Sequence, residues 1–144
     1  MNDSNAERLR DWLKQCPAIE TGARFGVDFL GSEPVQYALL CEASPVNYRE
    51  NILGERRAER RQAQYYRLDA RLPFGTDSGR NAENLAALQG VARWILARSA
   101  ARCLPEWDGG RVTAILPALT GAPVEYGAKD ARYRIQLRVL FETD

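Results

Sequence analysis

The chain has 144 residues, of which 45% are hydrophobic and 27% charged, and its formal net charge is +1. This length and apolar content predict a single domain, spanning residues 1–144, with its own core. A near-neutral charge provides no global attraction to nucleic acid. The absence of histidine removes the commonest general base and the commonest transition-metal ligand.

Basic residues are unevenly distributed and are almost all arginine. Residues 51–103 are basic and residues 1–50 are acidic, and only Lys14 and Lys129 of the 20 cationic residues are lysine. Arginine suits bidentate pairing at interfaces, although a GC-rich genome would favour it as well. The widely spaced Cys16, Cys41 and Cys103 are typical of buried thiols in a protein made in a reducing cytoplasm. No apolar run reaches membrane-spanning length.

The first predicted element is an amphipathic helix from Ser4 to Cys16. Ser4 is a suitable N-cap, and Glu7 three residues later completes a capping box. Leu9, Trp12 and Leu13 fall on one side at helical spacing. Trp12 is expected to anchor this helix on a sheet, and Pro17 ends it.

Three extended segments follow the first helix. Residues 24–31 suggest a short strand or connector that ends at Gly31, and residues 47–51 can be extended as well. Between them, Val35 to Ala43 alternates as a strand does, with Cys41 on its predicted apolar side.

The segment from Arg56 to Leu72 predicts a long hairpin arm, because its later part has a strand period and Gly54 precedes it. From Tyr66 to Leu72 the even positions suit a core. The odd positions, which include Asp69, are predicted to face solvent.

A long helix is predicted after the loop at residues 73–79, running to about Leu104. Its apolar stripe comprises Leu85, Leu88, Ala92, Ile95, Leu96, Ser99 and Cys103. A second face is made of small residues around one tryptophan: Ala87, Gly90, Trp94, Ala97 and Ala101. Either another element of the same chain or another subunit covers that face.

The end of the chain supplies two more strands. Residues 111–116 form the first, residues 117–130 form a loop, and the second alternates from Tyr133 to Phe141 between an apolar and a basic face. A strand this long and regular is expected to lie at the centre of its sheet. The fold class is therefore α+β: a single, mostly antiparallel mixed sheet packed by two main helices.

The sequence lacks the motifs of common catalytic sites. It has no glycine-rich phosphate loop and no Gly-x-Ser-x-Gly elbow, and its carboxylates are scattered. We therefore predict a protein that is not an enzyme, with no catalytic residues, cofactor or metal.

Two basic features remain after these exclusions. One is the arm, with Arg56, Arg57, Arg60, Arg61, Arg67 and Arg71. The other is the basic strand face, with Arg132, Arg134 and Arg138. Arginines beside tyrosines can bind single-stranded nucleic acid, but Glu55, Glu59 and Asp69 partly neutralise the arm. A solvated or subunit-facing strand with ion pairs is the favoured interpretation.

Several short sequences, in their order along the chain, resemble the tail terminators of long-tailed phages and prophages. Members of this family are also called minor capsid proteins and are sometimes mislabelled chloramphenicol resistance proteins. The matching sequences lie at the two ends of the chain: Leu9-Arg10-Asp11-Trp12-Leu13, Cys16-Pro17, Val27-Asp28-Phe29-Leu30-Gly31, Val112-Thr113-Ala114-Ile115, Thr120-Gly121 and Asp130 to Arg138. The middle, from about Tyr48 to Asn84, matches in element order alone.

The resemblance implies a structural virion protein that closes the tail tube, usually as a ring of six copies, and joins it to the head. The implied partners are copies of itself, the tail tube protein and a connector or neck protein, while DNA passes through the channel without specific binding. The implied location is the virion tail, after synthesis in the host cytoplasm. The family has no catalytic residues to transfer.

The contact residues are assigned from this sequence, because the family has no interface motif. A closed ring needs two different faces on each subunit. The small-residue face with Trp94, Ala87, Ala97 and Ala101 is one candidate, and the arginine-rich arm is the other, with the acidic first third as its counterpart. A head-completion or neck protein and a nucleic-acid-binding module that uses the basic strand face remain alternatives.

Overall fold

The structure, a computed structural model, describes residues 4–32, 34–46 and 48–143. Helix α1 spans Asn5–Leu13 and begins with the predicted capping box. The Ser4 hydroxyl accepts a hydrogen bond from the Glu7 amide at 3.2 Å, and the Glu7 carboxylate accepts one from the Ser4 amide at 3.4 Å. The helix buries Leu9, Trp12 and Leu13, as its apolar spacing predicted.

The strands follow in chain order, with helix α2 (Ser78–Ala100) between the fifth and the sixth. They are β1 (Arg24–Val27), β2 (Gln36–Ala43), β3 (Tyr48–Glu50), β4 (Arg56–Ala58), β5 (Arg61–Pro73), β6 (Glu106–Trp107), β7 (Gly110–Leu119), β8 (Glu125–Tyr126) and β9 (Asp130–Thr143).

The main sheet has the order β1-β2-β5-β9-β7-β6, and β8 pairs with β9. Strands β1 and β2 are parallel and the other pairs are antiparallel. Strand β9 lies between β5 and β7, which confirms its predicted central place. The predicted α+β class is likewise confirmed.

One face of this sheet forms the core with both helices. The apolar side chains of β9 (Tyr133, Ile135, Leu137, Val139) and of β5 (Tyr66, Leu68, Ala70, Leu72) are buried there. They share a single cluster with residues of α1 and with Leu88, Val91 and Ile95 of α2. The strict two-residue alternation of β5 and β9 places every second residue on the other face.

The arm predicted from Arg56 to Leu72 is divided in the structure. Strand β4 pairs with β3 in a separate two-stranded hairpin, whereas β5 belongs to the main sheet. The core positions predicted in β5 are correct, but its odd position Asp69 is fully buried, so the prediction that it faces solvent is wrong. Alternation identifies the face of a residue and not what covers that face.

Three further predictions need correction. Cys41 and Cys103 are exposed, and only Cys16 of the three thiols is buried. Cys41 lies beyond Leu39, the last residue of β2 that pairs with β1, so no strand protects its edge. The long helix ends at Ala100 rather than near Leu104, and Leu96 of its predicted stripe is 49% exposed.

Candidate assembly surfaces

The face of the sheet that points away from the helices is organised around Asp69. This carboxylate has 0% exposure although its strand neighbours on that face are arginines. In the sheet register Asp69 lies directly opposite Arg134 of β9 on one side and Ala38 of β2 on the other. A buried carboxylate requires charged or hydrogen-bonding partners, because an isolated buried charge is very costly.

Arginines from two strands provide these partners. The Nε of Arg132 lies 2.6 Å from one oxygen of Asp69, and the Nε of Arg134 lies 3.0 Å from the other. Arg67 is at 3.8 Å, beyond hydrogen-bond distance, and its buried Nε has no hydrogen-bond partner among the described residues. The hydrogen bond to Asp69 raises the pKa of the Arg134 guanidinium, so it stays charged at any physiological pH.

Two arginines of the basic strand face, Arg132 and Arg134, therefore form ion pairs within the chain. The side chains of Arg132 and Arg134 are only 20% and 23% exposed. Arg138 differs from them, because it is exposed and its guanidinium has no ion-pair partner in the described ranges. Of the three arginines predicted to form a basic face, Arg138 is the one that presents its charge to solvent.

Arg71 of β5 is also held within the chain. Its guanidinium donates to Asp130 at 3.0 Å and to the main-chain carbonyl of Gly31 at 2.8 Å, and its side chain is 13% exposed. Arg71 is thus held by partners within the chain, whereas Arg67 lies near Asp69 without a hydrogen bond from its Nε. Both were predicted as contact residues together with Arg56, Arg57, Arg60 and Arg61, and both are less exposed than those four.

The β3–β4 hairpin is the most exposed part of the described chain. We call residues 48–58 the hairpin arm. Every residue of this range is exposed, and β3 and β4 pair with no other described strand. The side chain of Asn51 shapes the turn, accepting hydrogen bonds from the amides of Leu53 (2.9 Å) and Glu55 (3.0 Å). Gly54 adopts the left-handed conformation (φ 80°) that the turn requires.

The tip of the arm is apolar, and the rest of the arm carries three arginines (Arg49, Arg56, Arg57) and two glutamates (Glu50, Glu55). Ile52 is 100% exposed and Leu53 is 79% exposed. Arg56 and Arg57 on β4 are exposed, and so are the next two predicted contact residues, Arg60 and Arg61. None of these four side chains has a hydrogen bond or ion pair to a described residue. Their charges remain available to a partner.

The small-residue face of α2 is covered in part by the same chain. Trp94 is half-buried and packs against Trp12 of α1, with ring centroids 4.9 Å apart. The Arg98 guanidinium lies over the Trp94 ring at 5.3 Å. Ala87, Ala97 and Ala101 on this face stay exposed. Trp94 therefore packs α1 against α2, and the three alanines are the members of this predicted contact surface that the described chain leaves exposed.

Two features of these surfaces were not predicted from the sequence. The first is the burial of Asp69. The available signal was that Asp69 alternates with Arg67 and Arg71 in the sequence and that the last strand is also rich in arginine. The second is the arm tip, where Ile52 and Leu53 stand between Asn51 and Gly54, two residues typical of turns. An apolar pair inside a turn is a sign of a contact surface, because nothing within a two-stranded hairpin can bury it.

The described residues contain no group of three or more histidine, cysteine, aspartate or glutamate residues placed to bind a metal ion. In the same part of the chain, no helix combines the length and apolar character needed to cross a bilayer.

Comparison with known proteins identifies the fold and nothing further. No protein-family model and no curated protein matches this sequence. One solved structure, which carries no functional description, is similar over 96% of this chain and 90% of its own, with a TM-score of 0.50 and 18% sequence identity. At that identity, the similarity shows a shared fold alone.

Proposed function

We propose that this protein is a structural subunit of a phage tail, which assembles with copies of itself into a ring at the end of the tail tube. The exposed hairpin arm supports the self-assembly part of this proposal. The resemblance of the two chain ends to tail terminators supports its assignment to a phage tail. In this proposal the ring, expected to have six copies, closes the tube and presents the surface that joins the head. Its partners are the tail tube protein and a connector or neck protein.

The arm has the physical character of a segment that awaits a partner. A two-stranded hairpin is marginally stable in water by itself, because it has little apolar surface to bury. In this one Arg49 lies directly opposite Arg57, where like charges repel, although Glu50 lies opposite Arg56, where opposite charges attract. An acidic surface of another subunit would relieve the repulsion and also cover the apolar tip.

The acidic first third of the chain is the surface expected to receive the arm. Asp11, Glu20, Asp28 and Glu42 are all exposed there. A basic arm that binds an acidic surface elsewhere on the next copy makes a heterologous contact, and such contacts close into rings when the rotation between subunits allows it. The exposed alanines of α2 (Ala87, Ala97, Ala101) would lie in the second contact.

Charge reversal on the arm tests the proposal. The variant with Arg56→Glu and Arg57→Glu should fold but fail to form rings, as seen by native mass spectrometry and electron microscopy of protein mixed with tail tubes. A control with Arg80→Glu and Lys129→Glu makes the same change in charge at the opposite end of β5 and β9 and should assemble normally. Rings of normal abundance in the arm variant would remove the arm from the proposal.

A head-completion or neck role predicts the same self-assembly at a different place in the particle. Gold labelling of the protein within whole particles separates the two roles, since a tail terminator lies on tails that have not joined a head. Tails without label, with label confined to heads, would replace the tail assignment with a head-completion role.

A nucleic-acid-binding module is disfavoured by the ion pairs of Asp69, which engage Arg132 and Arg134. It nevertheless makes a clear prediction: binding to single-stranded DNA that weakens steeply with salt. Such binding, lost on Arg138→Ala and present without rings, would overturn the structural assignment.

A further inference from the structure

A cavity separate from the arm lies at the β6–β7 edge of the sheet, next to α1 and the end of α2. Its volume is about 530 Å³. Its apolar wall consists of Leu104, Pro105, Trp107 and Val112. Its charged residues are Arg8, Arg102, Arg111 and Glu106. Even without Arg8, the two arginines Arg102 and Arg111 face one carboxylate and give the cavity a positive potential, which its low-dielectric apolar wall strengthens.

Two of these cations, Arg102 and Arg111, are weakly engaged by the described residues. The Arg102 side chain has no hydrogen bond or ion pair with any described residue. Arg111 is 74% exposed and makes one contact with Glu142, at 3.3 Å. A pair that exposed holds its arginine loosely, because water and salt screen it. Both guanidiniums can therefore turn toward a ligand.

Trp107 is a fixed part of the cavity wall. The residue is 6% exposed, and its indole N–H is buried with no acceptor among the described residues. Its ring is held by Tyr66 in an edge-on contact (6.2 Å) and by Phe141 (6.0 Å). The wall beside the arginines is therefore apolar and preformed, which suits an apolar side chain of a ligand next to its anionic group.

We propose that this cavity binds an acidic peptide segment of a partner protein. A carboxylate of the segment pairs with Arg102 and Arg111, and a neighbouring apolar side chain packs on Leu104 and Val112. An apolar centre with a charged rim is typical of peptide and protein contacts. The inference goes beyond ring assembly, because no residue of the hairpin arm lines the cavity.

Nucleic acid fits the same cavity less well. Binding of single strands uses exposed aromatic faces on which bases stack, whereas Trp107 is buried. Glu106 in the rim would also repel a continuous phosphate backbone. The positive charge of the cavity favours an anionic ligand. Its apolar wall favours a ligand whose anionic group is a carboxylate on a peptide.

Binding of a defined probe tests the proposal. A fluorescein-labelled peptide of alternating aspartate and leucine should bind the full chain, and a lysine–leucine peptide of the same length should not. The combined change Arg102→Gly and Arg111→Ala should weaken binding about tenfold or more, since charge-assisted pairs are lost. Arg93→Ala is the control, because this exposed arginine of α2 does not line the cavity.

The glycine variant also separates loss of charge from loss of fold. Arg102 follows the end of α2 in a left-handed conformation (φ 59°), in which glycine is less strained. Arg102→Gly should therefore keep or raise the melting temperature while it weakens the peptide.

The indole N–H signal of Trp107, assigned by its loss in Trp107→Phe, reports on the cavity in NMR spectra and should shift during the titration. The proposal is overturned by an unmoved Trp107 signal, by equal weakening in Arg93→Ala, or by an oligothymidylate that binds as tightly as the acidic peptide.

Discussion

The polar face of the main sheet and the hairpin arm are both rich in arginine, yet the structure uses their charges in opposite ways. On the sheet, Arg132 and Arg134 close over the fully buried Asp69 and are themselves mostly covered. On the arm, Arg56 and Arg57 are exposed and have no partner among the described residues. The same residue type thus supports the fold in one region and offers a contact surface in the other.

The difference comes from the number of strands. In the main sheet, β5 has a neighbour on each side, so three strands bring side chains around one carboxylate. The arm has only two strands, which pair with no other described strand, and all of its residues are exposed. Burial of an ion pair needs such surroundings, because only neighbouring atoms can exclude water from it.

The largest expected effect comes from Asp69→Asn, which removes the charge with little change in shape. The change leaves two mostly covered arginines without their counter-ion, and we expect it to cost about 3 kcal/mol of the free energy of unfolding. Urea denaturation measures this loss. Glu125→Gln is the control, because Glu125 also faces Arg132, at 3.8 Å, but is 57% exposed; its cost should stay below about 0.5 kcal/mol. Equal effects of the two changes would contradict a special role for the buried carboxylate.

A smaller loss is expected for Trp94→Ala, which tests whether the tryptophan belongs with the core or with the contact surfaces. A fully buried tryptophan costs about 3 to 5 kcal/mol when truncated, and half burial against Trp12 should give about 2 kcal/mol. Thermal unfolding followed by circular dichroism measures it. Ala87→Ser, on the exposed part of the same helix face, should leave stability unchanged. A stable Trp94→Ala protein that fails to assemble would return this residue to the subunit interface.

The smallest effect on stability is expected at the arm tip. Ile52→Ser combined with Leu53→Ser should change the free energy of unfolding by less than about 0.5 kcal/mol, because both side chains are already in water. Urea denaturation measures this, and Leu137→Ser, which places a hydroxyl in the core, should be strongly destabilising in the same assay. A marked loss of stability in the tip variant would show that the arm packs on its own subunit.

Much of the fold could be predicted because its signals are local. The capping box at Ser4 needs residues three apart, and the faces of β5 and β9 follow from strict alternation. The division of the predicted arm into β4 and β5 could not be predicted in this way. Pairing depends on which strand lies beside each segment, and neither propensity nor period specifies that.

The candidate surfaces were predicted less well than the fold. Six arginines of the predicted arm were grouped as contact residues. Those at positions 56, 57, 60 and 61 are exposed, whereas Arg67 and Arg71 are partly buried beside Asp69 and Asp130. Asp69 lies two residues from Arg67 on the same strand, whereas Asp130 lies 59 residues from Arg71. The Arg71–Asp130 ion pair is therefore decided by strand register, which composition does not reveal.

The sequence by itself determined the α+β class, the central place of β9 and the core faces of β5 and β9, because two-residue and helical periods reflect which side of an element avoids water. Only the tertiary structure decided which charged side chains pair within the chain and which stay exposed. Asp69 is buried because β2, β5 and β9 meet in one register, and the arm stays exposed because its two strands pair with no other described strand. Burial of a charge is a property of its neighbours in space, and those neighbours lie 63 and 65 residues away in the chain.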